Sequence, residues 1–210
     1  AAAPAPPPRP YSPLGVPEMN HYLDQVVGSV ALPVFLYHIP SRTGGVAVDS
    51  VRHAMGLENC VGFKDSSGDM NYLNEVLSLR HEIRPEFRVL VGPEELLGAS
   101  VMMGGDGGVA GGANLFPELF VALFEAAKNA DVERVRRLHR VVMSISTSLY
   151  RSGRYGSSFV KSVKGALQVM SVCRGHMAAP FEAFNAEDQK RLEALTADAI
   201  REVEMALTAS

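Results

Sequence analysis

The stretch CVGFKDSSGD, residues 60–69, decides the fold. Its first four residues form a short, continuous apolar run, which is typical of a β-strand buried on both faces of a sheet. Lys64 follows directly, and after DSSGD the apolar residues from Met70 to Leu79 recur at helical spacing. The stretch therefore predicts a buried strand that ends at a lysine and leads into a helix.

The same alternation of strands and helices extends in both directions along the chain. Three further apolar runs predict strands, at 32–37 (LPVFLY), 88–91 (RVLV) and 107–111 (GGVAG). Helical spacing predicts helices before, between and after these strands, at 17–30, 48–55, 94–103 and 117–128. Short strands that alternate with helices predict a parallel sheet covered by helices.

Beyond residue 130 the sequence predicts helices alone, at 132–150, 159–170 and 187–206. The first ten residues, AAAPAPPPRP, favour an extended and poorly packed segment, so we exclude them from the predicted fold. Periodicity leaves two α/β architectures open, which are half of an eight-stranded barrel and a small doubly wound sheet. The glycine fingerprint of dinucleotide-binding folds is missing, because GGDGGVAGG at 104–112 follows a helix and surrounds its strand.

Composition excludes several classes of partner. The formal net charge of -3 gives no basic surplus for binding phosphates, so we expect no nucleic-acid partner. No run approaches the roughly 18 consecutive apolar residues of a membrane-spanning helix, so we expect no membrane partner. Cys60 and Cys173 lack companions at metal-ligand spacing and predict reduced thiols in a cytoplasmic protein. The histidines are scattered, so each is expected to be a surface or satisfied residue, and no metal site is predicted.

The most informative single residue is Lys64, because it lies where the predicted strand ends. Ligands bind at this edge both in parallel barrels and in open α/β sheets. The apolar residues before Lys64 would partly desolvate its side chain, which disfavours the ammonium and leaves an amine that condenses with ketones. A lysine that only ends a strand and extends into solvent is an equally open interpretation.

Two further side chains are expected near Lys64. Tyr37 ends the preceding strand at the same edge, about 4.8 Å away if the strands are neighbours. Its phenol could relay protons to and from a carbinolamine, although it could also be a structural tyrosine packed at the rim. Arg42, in the loop SRTGG, could bind a carboxylate through two parallel hydrogen bonds, although a loop arginine is more often only solvated.

Four motifs together resemble a known family. They are YHIPSRTG at 37–44, VGFKDSSGD at 61–69, VGPEE at 91–95 and GGDGGVAGGAN at 104–114. Their order and spacing resemble the dihydrodipicolinate synthase / N-acetylneuraminate lyase family of class I, Schiff-base-forming aldolases. The resemblance implies an α/β fold, a (β/α)8 TIM barrel of which strands 5–8 are present, followed by a C-terminal helical extension. The implied domains are a disordered Pro/Ala-rich segment at 1–10, the second half of the barrel at 11–130 and a helical region at 131–210.

The resemblance also implies roles for individual residues. Lys64 resembles the lysine that forms a Schiff base with pyruvate or a related 2-oxo acid, and Tyr37 resembles the proton-shuttling tyrosine. Among the substrate-binding positions, Gly92 matches a glycine near the bound substrate. Ala110 matches a position whose backbone carbonyl faces the pyruvate moiety.

The aldehyde partner is left open, because two matches disagree. Arg42 resembles the arginine with which synthase-type members attract a carboxylate-bearing second substrate. Glu94 and Glu95 match an acidic pair that sialic-acid lyases use towards sugar hydroxyls. The sequence departs from the family pattern at His38, where asparagine is usual, and at glycines 111 and 112, where hydroxyl-bearing residues are common.

The implied function is that of a lyase or aldolase, with aldol addition to an aldehyde or cleavage from one. Its partners would be a small 2-oxo acid and an aldehyde, in a homodimer or homotetramer. No metal or organic cofactor is expected, because the protonated imine itself accepts the electrons. The family's earlier strand-helix units, with their substrate-carboxylate segment, are not among these 210 residues. The alternative is therefore a truncated, non-catalytic barrel fragment that acts only through association.

Overall fold

A parallel β-sheet forms the first of two compact units in the computed structural model, which describes residues 14–209 and the backbone of Ala3–Ala5. The units comprise residues 1–109 and 110–210. Within the described part of the chain the sheet has five strands, all paired in parallel and in sequence order. They are β1 (Ala3–Ala5), β2 (Val34–His38), β3 (Cys60–Asp65), β4 (Arg88–Val91) and β5 (Gly107–Gly108).

Helices connect these strands, as the alternating sequence pattern predicts. In the first unit they are α1 (Val16–Ser29), α2 (Pro40–Thr43), α3 (Val48–Met55), α4 (Met70–Ile83) and α5 (Leu97–Met102), the last preceded by a 3-10 turn at Glu94–Leu96. The start of α4 is fixed by Asp69, whose carboxylate accepts hydrogen bonds from the backbone N–H groups of Asn71 and Tyr72. The aspartate that closes CVGFKDSSGD therefore begins the helix that follows it.

All the regular elements described in the second unit are helices or 3-10 turns. It contains α6 (Pro117–Lys128), α7 (Val132–Thr147), α8 (Ser158–Val169) and α9 (Ala186–Thr208), with 3-10 turns at Gly112–Asn114 and Leu149–Arg151. Helix α7 packs against both α6 and α9. Its buried residues Leu138, Val142 and Ile145 form the centre of this unit's core, because apolar side chains at these spacings share one helix face.

A β-bulge sets the register between β2 and β3. Val34 pairs with Cys60, but Phe35 pairs with Gly62, so Val61 is an extra residue in β3. From that point Tyr37 lies opposite Lys64. Because side chains alternate between the two faces of a strand, Phe35, Tyr37 and Lys64 share one face of the sheet, whereas the residues that follow Tyr37 and Lys64 point to the other face.

Three sequence predictions need correction. Residues 1–10 were excluded from the fold, but Ala3–Ala5 pairs in parallel with β2; the edge of a sheet tolerates proline, and pairing needs only backbone groups. The rest of that segment lies outside the described residues. The sequence predicts that Arg42 lies in a loop, but it lies on α2, which begins at Pro40 because proline suits a first helical turn. The strand predicted at 107–111 is confined to Gly107–Gly108.

The predicted α/β class and the helices beyond residue 130 are confirmed. The predicted division into half of a barrel at 11–130 and a helical region at 131–210 stays a prediction.

Gly62 allows the close packing on the face of the sheet that bears Lys64. A Cβ atom added at Gly62 would lie against the Phe35 ring and 2.7 Å from the Arg88 carbonyl oxygen. We therefore expect Gly62→Ala to lower the free energy of unfolding by about 1–3 kcal/mol, measured by urea denaturation. The matched control is Gly28→Ala in α1, where an added Cβ meets nothing within 4 Å. This control should raise stability by about 0.5–1 kcal/mol, and equal effects of the two changes would contradict the packing argument.

Candidate active site

Tyr37 and Lys64 meet at the C-terminal ends of adjacent strands. They are direct partners in the pairing of β2 with β3, and both side chains are half-buried. The Lys64 Nζ atom lies over the Tyr37 ring, 4.4 Å from its centroid. The arrangement sets a primary amine beside a phenol at the strand edge where α/β sheets bind ligands. The predicted proximity of these two residues is therefore confirmed, whereas their catalytic roles stay predictions.

Gly92 lies against the end of β3, next to this pair. Its backbone N–H donates a hydrogen bond of 2.6 Å to the Asp65 carbonyl oxygen. A Cβ atom at this position would collide with the Ser66 Oγ atom and lie 3.2 Å from the same carbonyl oxygen. Glycine is needed here because the chain leaving β4 passes so close to the chain leaving β3.

The other predicted substrate-binding residues have different settings. Arg42 is exposed on α2, and its backbone N–H donates to the Ile39 carbonyl oxygen. Ala110 is the first residue of the second unit. Glu94 is buried and Glu95 is half-buried in the 3-10 turn that follows β4. Binding of substrate by any of these residues stays a prediction.

A buried histidine and aspartate lie one residue beyond Tyr37 and Lys64. His38 and Asp65 are 4% and 1% exposed, pair directly in the sheet, and lie 3.9 Å apart from Nε2 to Oδ1. The His38 Nδ1 atom accepts a hydrogen bond of 3.1 Å from the backbone N–H of Val46. The neutral ring consequently carries its proton on Nε2, which faces Asp65. Burial lowers the pKa of His38, and the nearby Asp65 carboxylate opposes that change in part.

Sequence reasoning missed this pair, although a signal was present. His38 follows Tyr37 and Asp65 follows Lys64. Any register that pairs Tyr37 with Lys64 therefore also pairs His38 with Asp65. Because successive side chains of a strand point to opposite faces, the His38 and Asp65 side chains lie on the face of the sheet opposite Tyr37 and Lys64. Asp65 also accepts a hydrogen bond of 2.8 Å from the Ser67 backbone N–H, which helps to fix the turn after β3.

Among residues 14–209 no three histidine, cysteine, aspartate or glutamate side chains come together in a way that could hold a metal ion. No helix in that range has both the length and the apolar character needed to cross a membrane.

Comparison with known proteins gives the family. The model of the dihydrodipicolinate synthetase family matches residues 9–199. This chain belongs to that family. In sequence it is 32% identical over 190 residues to an uncharacterized DapA-like lyase of Halobacterium salinarum. The dihydrodipicolinate synthetase family includes class I aldolases, so the resemblance seen in the four motifs is confirmed.

Solved structures of family members match the fold. Dihydrodipicolinate synthase from Bacteroides thetaiotaomicron superimposes with a TM-score of 0.89 at 39% identity over 94% of this chain. YagE, a prophage protein of E. coli K12 that was crystallised in complex with pyruvate, gives a TM-score of 0.83 at 25% identity, also over 94% of this chain. The parallel strands and helices therefore correspond to part of a dihydrodipicolinate synthase TIM barrel.

The match covers only part of each relative. The chain spans 59% of the Halobacterium lyase, 66% of the Bacteroides synthase and 65% of YagE. Membership of the dihydrodipicolinate synthetase family thus establishes homology to lyases and aldolases. It does not by itself establish the activity of the whole protein.

The lowered pKa of His38 predicts a pH dependence of stability. The unfolded histidine binds a proton near the ordinary pKa of 6.5, whereas the buried ring does so only at lower pH. The contribution of neutral His38 is therefore complete above pH 6.5 and is lost as the pH falls through the lowered pKa. We expect the urea midpoint of the wild type to fall more steeply than that of His38→Asn between about pH 8 and about pH 5. If the urea midpoints of the two proteins changed equally with pH, the lowered pKa of His38 would be contradicted.

Proposed function

We propose that this protein is a class I aldolase-type lyase in which Lys64 forms a Schiff base with pyruvate or a related 2-oxo acid. The observation that carries the proposal is the position of the Lys64 Nζ atom, 4.4 Å from the Tyr37 ring centroid at the C-terminal ends of adjacent parallel strands. Membership of a family of class I aldolases supports it, as does the pyruvate bound to the similar protein YagE. In this proposal β2 to β5 are strands 5–8 of an eight-stranded barrel.

The chemistry begins with attack of the neutral Lys64 amine on the keto carbon of the 2-oxo acid. A C–N bond forms, and the carbonyl oxygen becomes the hydroxyl of a carbinolamine. Tyr37 passes a proton to that hydroxyl, the C–O bond breaks, and water leaves to give a protonated imine. The imine withdraws electrons from the adjacent carbon, which loses a proton to the deprotonated Tyr37 and becomes the nucleophilic carbon of an enamine.

The enamine then adds to the carbonyl carbon of an aldehyde, which forms the new C–C bond while the aldehyde oxygen takes a proton from Tyr37 and becomes a hydroxyl; cleavage is the same step in reverse. Water hydrolyses the resulting imine and restores the Lys64 amine. The Ala110 carbonyl and Gly92 would border the 2-oxo acid, while Arg42 would bind an acceptor that carries a carboxylate. The assembly would be a homodimer or homotetramer.

Reductive trapping tests the Schiff base directly. Borohydride in the presence of pyruvate should convert the imine on Lys64 to a stable secondary amine, which peptide mass spectrometry of the full-length protein would locate. Lys64→Arg should abolish the adduct, because arginine keeps the charge but cannot form an imine under these conditions. The matched control is Lys161→Arg in the second unit, which should leave the adduct unchanged.

An adduct on another lysine, or none in the full-length wild-type protein, would refute the proposal. The second of these results would favour the alternative of a non-catalytic fragment that acts only through association.

Exchange of the pyruvate methyl protons tests the role of Tyr37 without requiring the aldehyde. Formation and reversal of the enamine in D2O should replace these protons with deuterium, which NMR follows. We expect Tyr37→Phe to slow the exchange by about 10²–10⁴-fold, because a positioned proton donor and acceptor is lost. Tyr155→Phe is the matched control, since Tyr155 is 79% exposed in the second unit. Equal exchange rates in the Tyr37→Phe and wild-type proteins would remove Tyr37 from the mechanism.

A further inference from the structure

Both backbone polar groups of Val46 are bound by aromatic side chains. The Val46 N–H donates to His38 Nδ1, and its carbonyl oxygen accepts a hydrogen bond of 2.7 Å from the Tyr72 hydroxyl. The two rings stack, with centroids 4.6 Å apart and an angle of 18° between their planes. Val46 is only 2% exposed, so water is a poor substitute for either partner. We call these three residues the Val46 latch.

The latch joins three separate elements of the first unit. His38 is the last residue of β2, Tyr72 lies in the first turn of α4, and Val46 precedes α3. Phe63 adds a second stacked ring against His38, at a centroid distance of 5.9 Å. Burial and, to a smaller extent, the charges of Asp65 and Glu75 raise the pKa of Tyr72, so its hydroxyl keeps the proton that it donates.

The segment between His38 and Val46 has little else to hold it. It contains α2, which buries none of its own residues, and it then turns at Gly44 with a φ of 79°. Arg42 lies within this segment and is exposed. Because no side chain between Pro40 and Gly45 is buried in the core, the position of Arg42 depends on how the two ends of the segment are fixed. One end is β2 itself, and the other is Val46.

We propose that His38 is a positioning residue, which through the Val46 latch fixes the segment that carries Arg42. The functional part of this inference rests on the proposed function, in which Arg42 binds a carboxylate-bearing acceptor. Asp65 contributes by facing Nε2 of His38, which leaves Nδ1 free of a proton and able to accept from Val46. His38 acts from the face of the sheet opposite Lys64, so it does not take part in imine formation.

Substitutions at His38 separate the hydrogen bond from the bulk of the ring. His38→Phe keeps a stacking ring but removes the acceptor, so the buried Val46 N–H is left without a partner. His38→Asn removes the ring but keeps an acceptor at the same branch position as Nδ1. Tyr72→Phe removes only the donor to the Val46 carbonyl. Val89→Ala in β4, which is fully buried, is the control for general loss of stability.

Two measurements report the position of the segment in the full-length protein. Hydrogen exchange of the Val46 amide, corrected for its intrinsic rate and compared with the Leu36 and Phe63 amides in the sheet, reports the latch itself. The rate of tryptic cleavage after Arg42 reports the freedom of the segment. We expect His38→Phe to raise both rates about tenfold, because one buried hydrogen bond is lost. Tyr72→Phe should also raise the rate of tryptic cleavage after Arg42.

His38→Asn should restore both rates to near the wild-type values. In Val89→Ala, the exchange rate of the Val46 amide relative to the sheet amides should equal that of the wild type, and the rate of cleavage after Arg42 should also be unchanged. Wild-type rates in His38→Phe would overturn the inference. A rise in Val89→Ala as large as that in His38→Phe would also overturn it, because the effect would then be general loosening.

Pyruvate trapping separates this inference from the proposed function. His38→Phe should form the Lys64 adduct as fast as the wild type, because the latch lies on the opposite face of the sheet. Loss of the adduct in His38→Phe would show that His38 positions Lys64 instead, and would overturn the inference. If the wild-type protein forms no adduct, the proposed function fails, whereas the exchange and cleavage rates still decide whether the latch fixes the segment.

Discussion

The register of β2 against β3 is the constraint on which the rest of the site depends. The extra residue Val61 shifts the pairing by one position, so that Tyr37 rather than His38 lies opposite Lys64. A shift of one residue in β3 would reverse the face to which each of its side chains points, and would put the lysine where the aspartate is now buried. The charged and polar residues at these strand ends therefore oppose a shift of one residue, because that shift would bury the lysine amine and move the packed Phe63 ring to the other face.

The two faces at the strand ends have different physical tasks. On one face, the phenol of Tyr37 and the amine of Lys64 are half-buried at the ends of their strands. On the other face, His38 and Asp65 are buried; they face each other, and each also accepts a hydrogen bond from a backbone N–H group. A binding group is placed accurately only when its supports are rigid, so in the inference above the second pair serves the segment that carries Arg42 rather than the amine.

The sequence predicted most of the fold because its signals were local. The apolar runs at 88–91 and 60–63 became β4 and most of β3, and the helix predicted at 48–55 is α3. Strand β1 was missed because alanine and proline carry no strand signal, and its pairing depends on contact with a distant segment. The four-residue helix α2 was missed because it is too short to show a period.

For the site, sequence predicted that Tyr37 and Lys64 would meet, because both end strands at the same sheet edge. It did not predict the support given by His38 and Tyr72. That support depends on Val46, whose backbone groups have no signature in the sequence, and on which ring nitrogen of His38 bears the proton.

The segment between β2 and α3 has a consequence for how such a protein can diverge. Its outermost residues, from Pro40 to Gly45, contribute no buried side chain, so apart from Gly44, whose φ of 79° favours glycine, substitutions among them cost the folded chain little. The groups that hold its ends belong to the strands and to α4, which the sheet needs in any case. In an aldolase of the kind proposed, new acceptor preferences would therefore arise by exchange of a few surface residues around position 42, while the lysine and its neighbours are inherited unaltered.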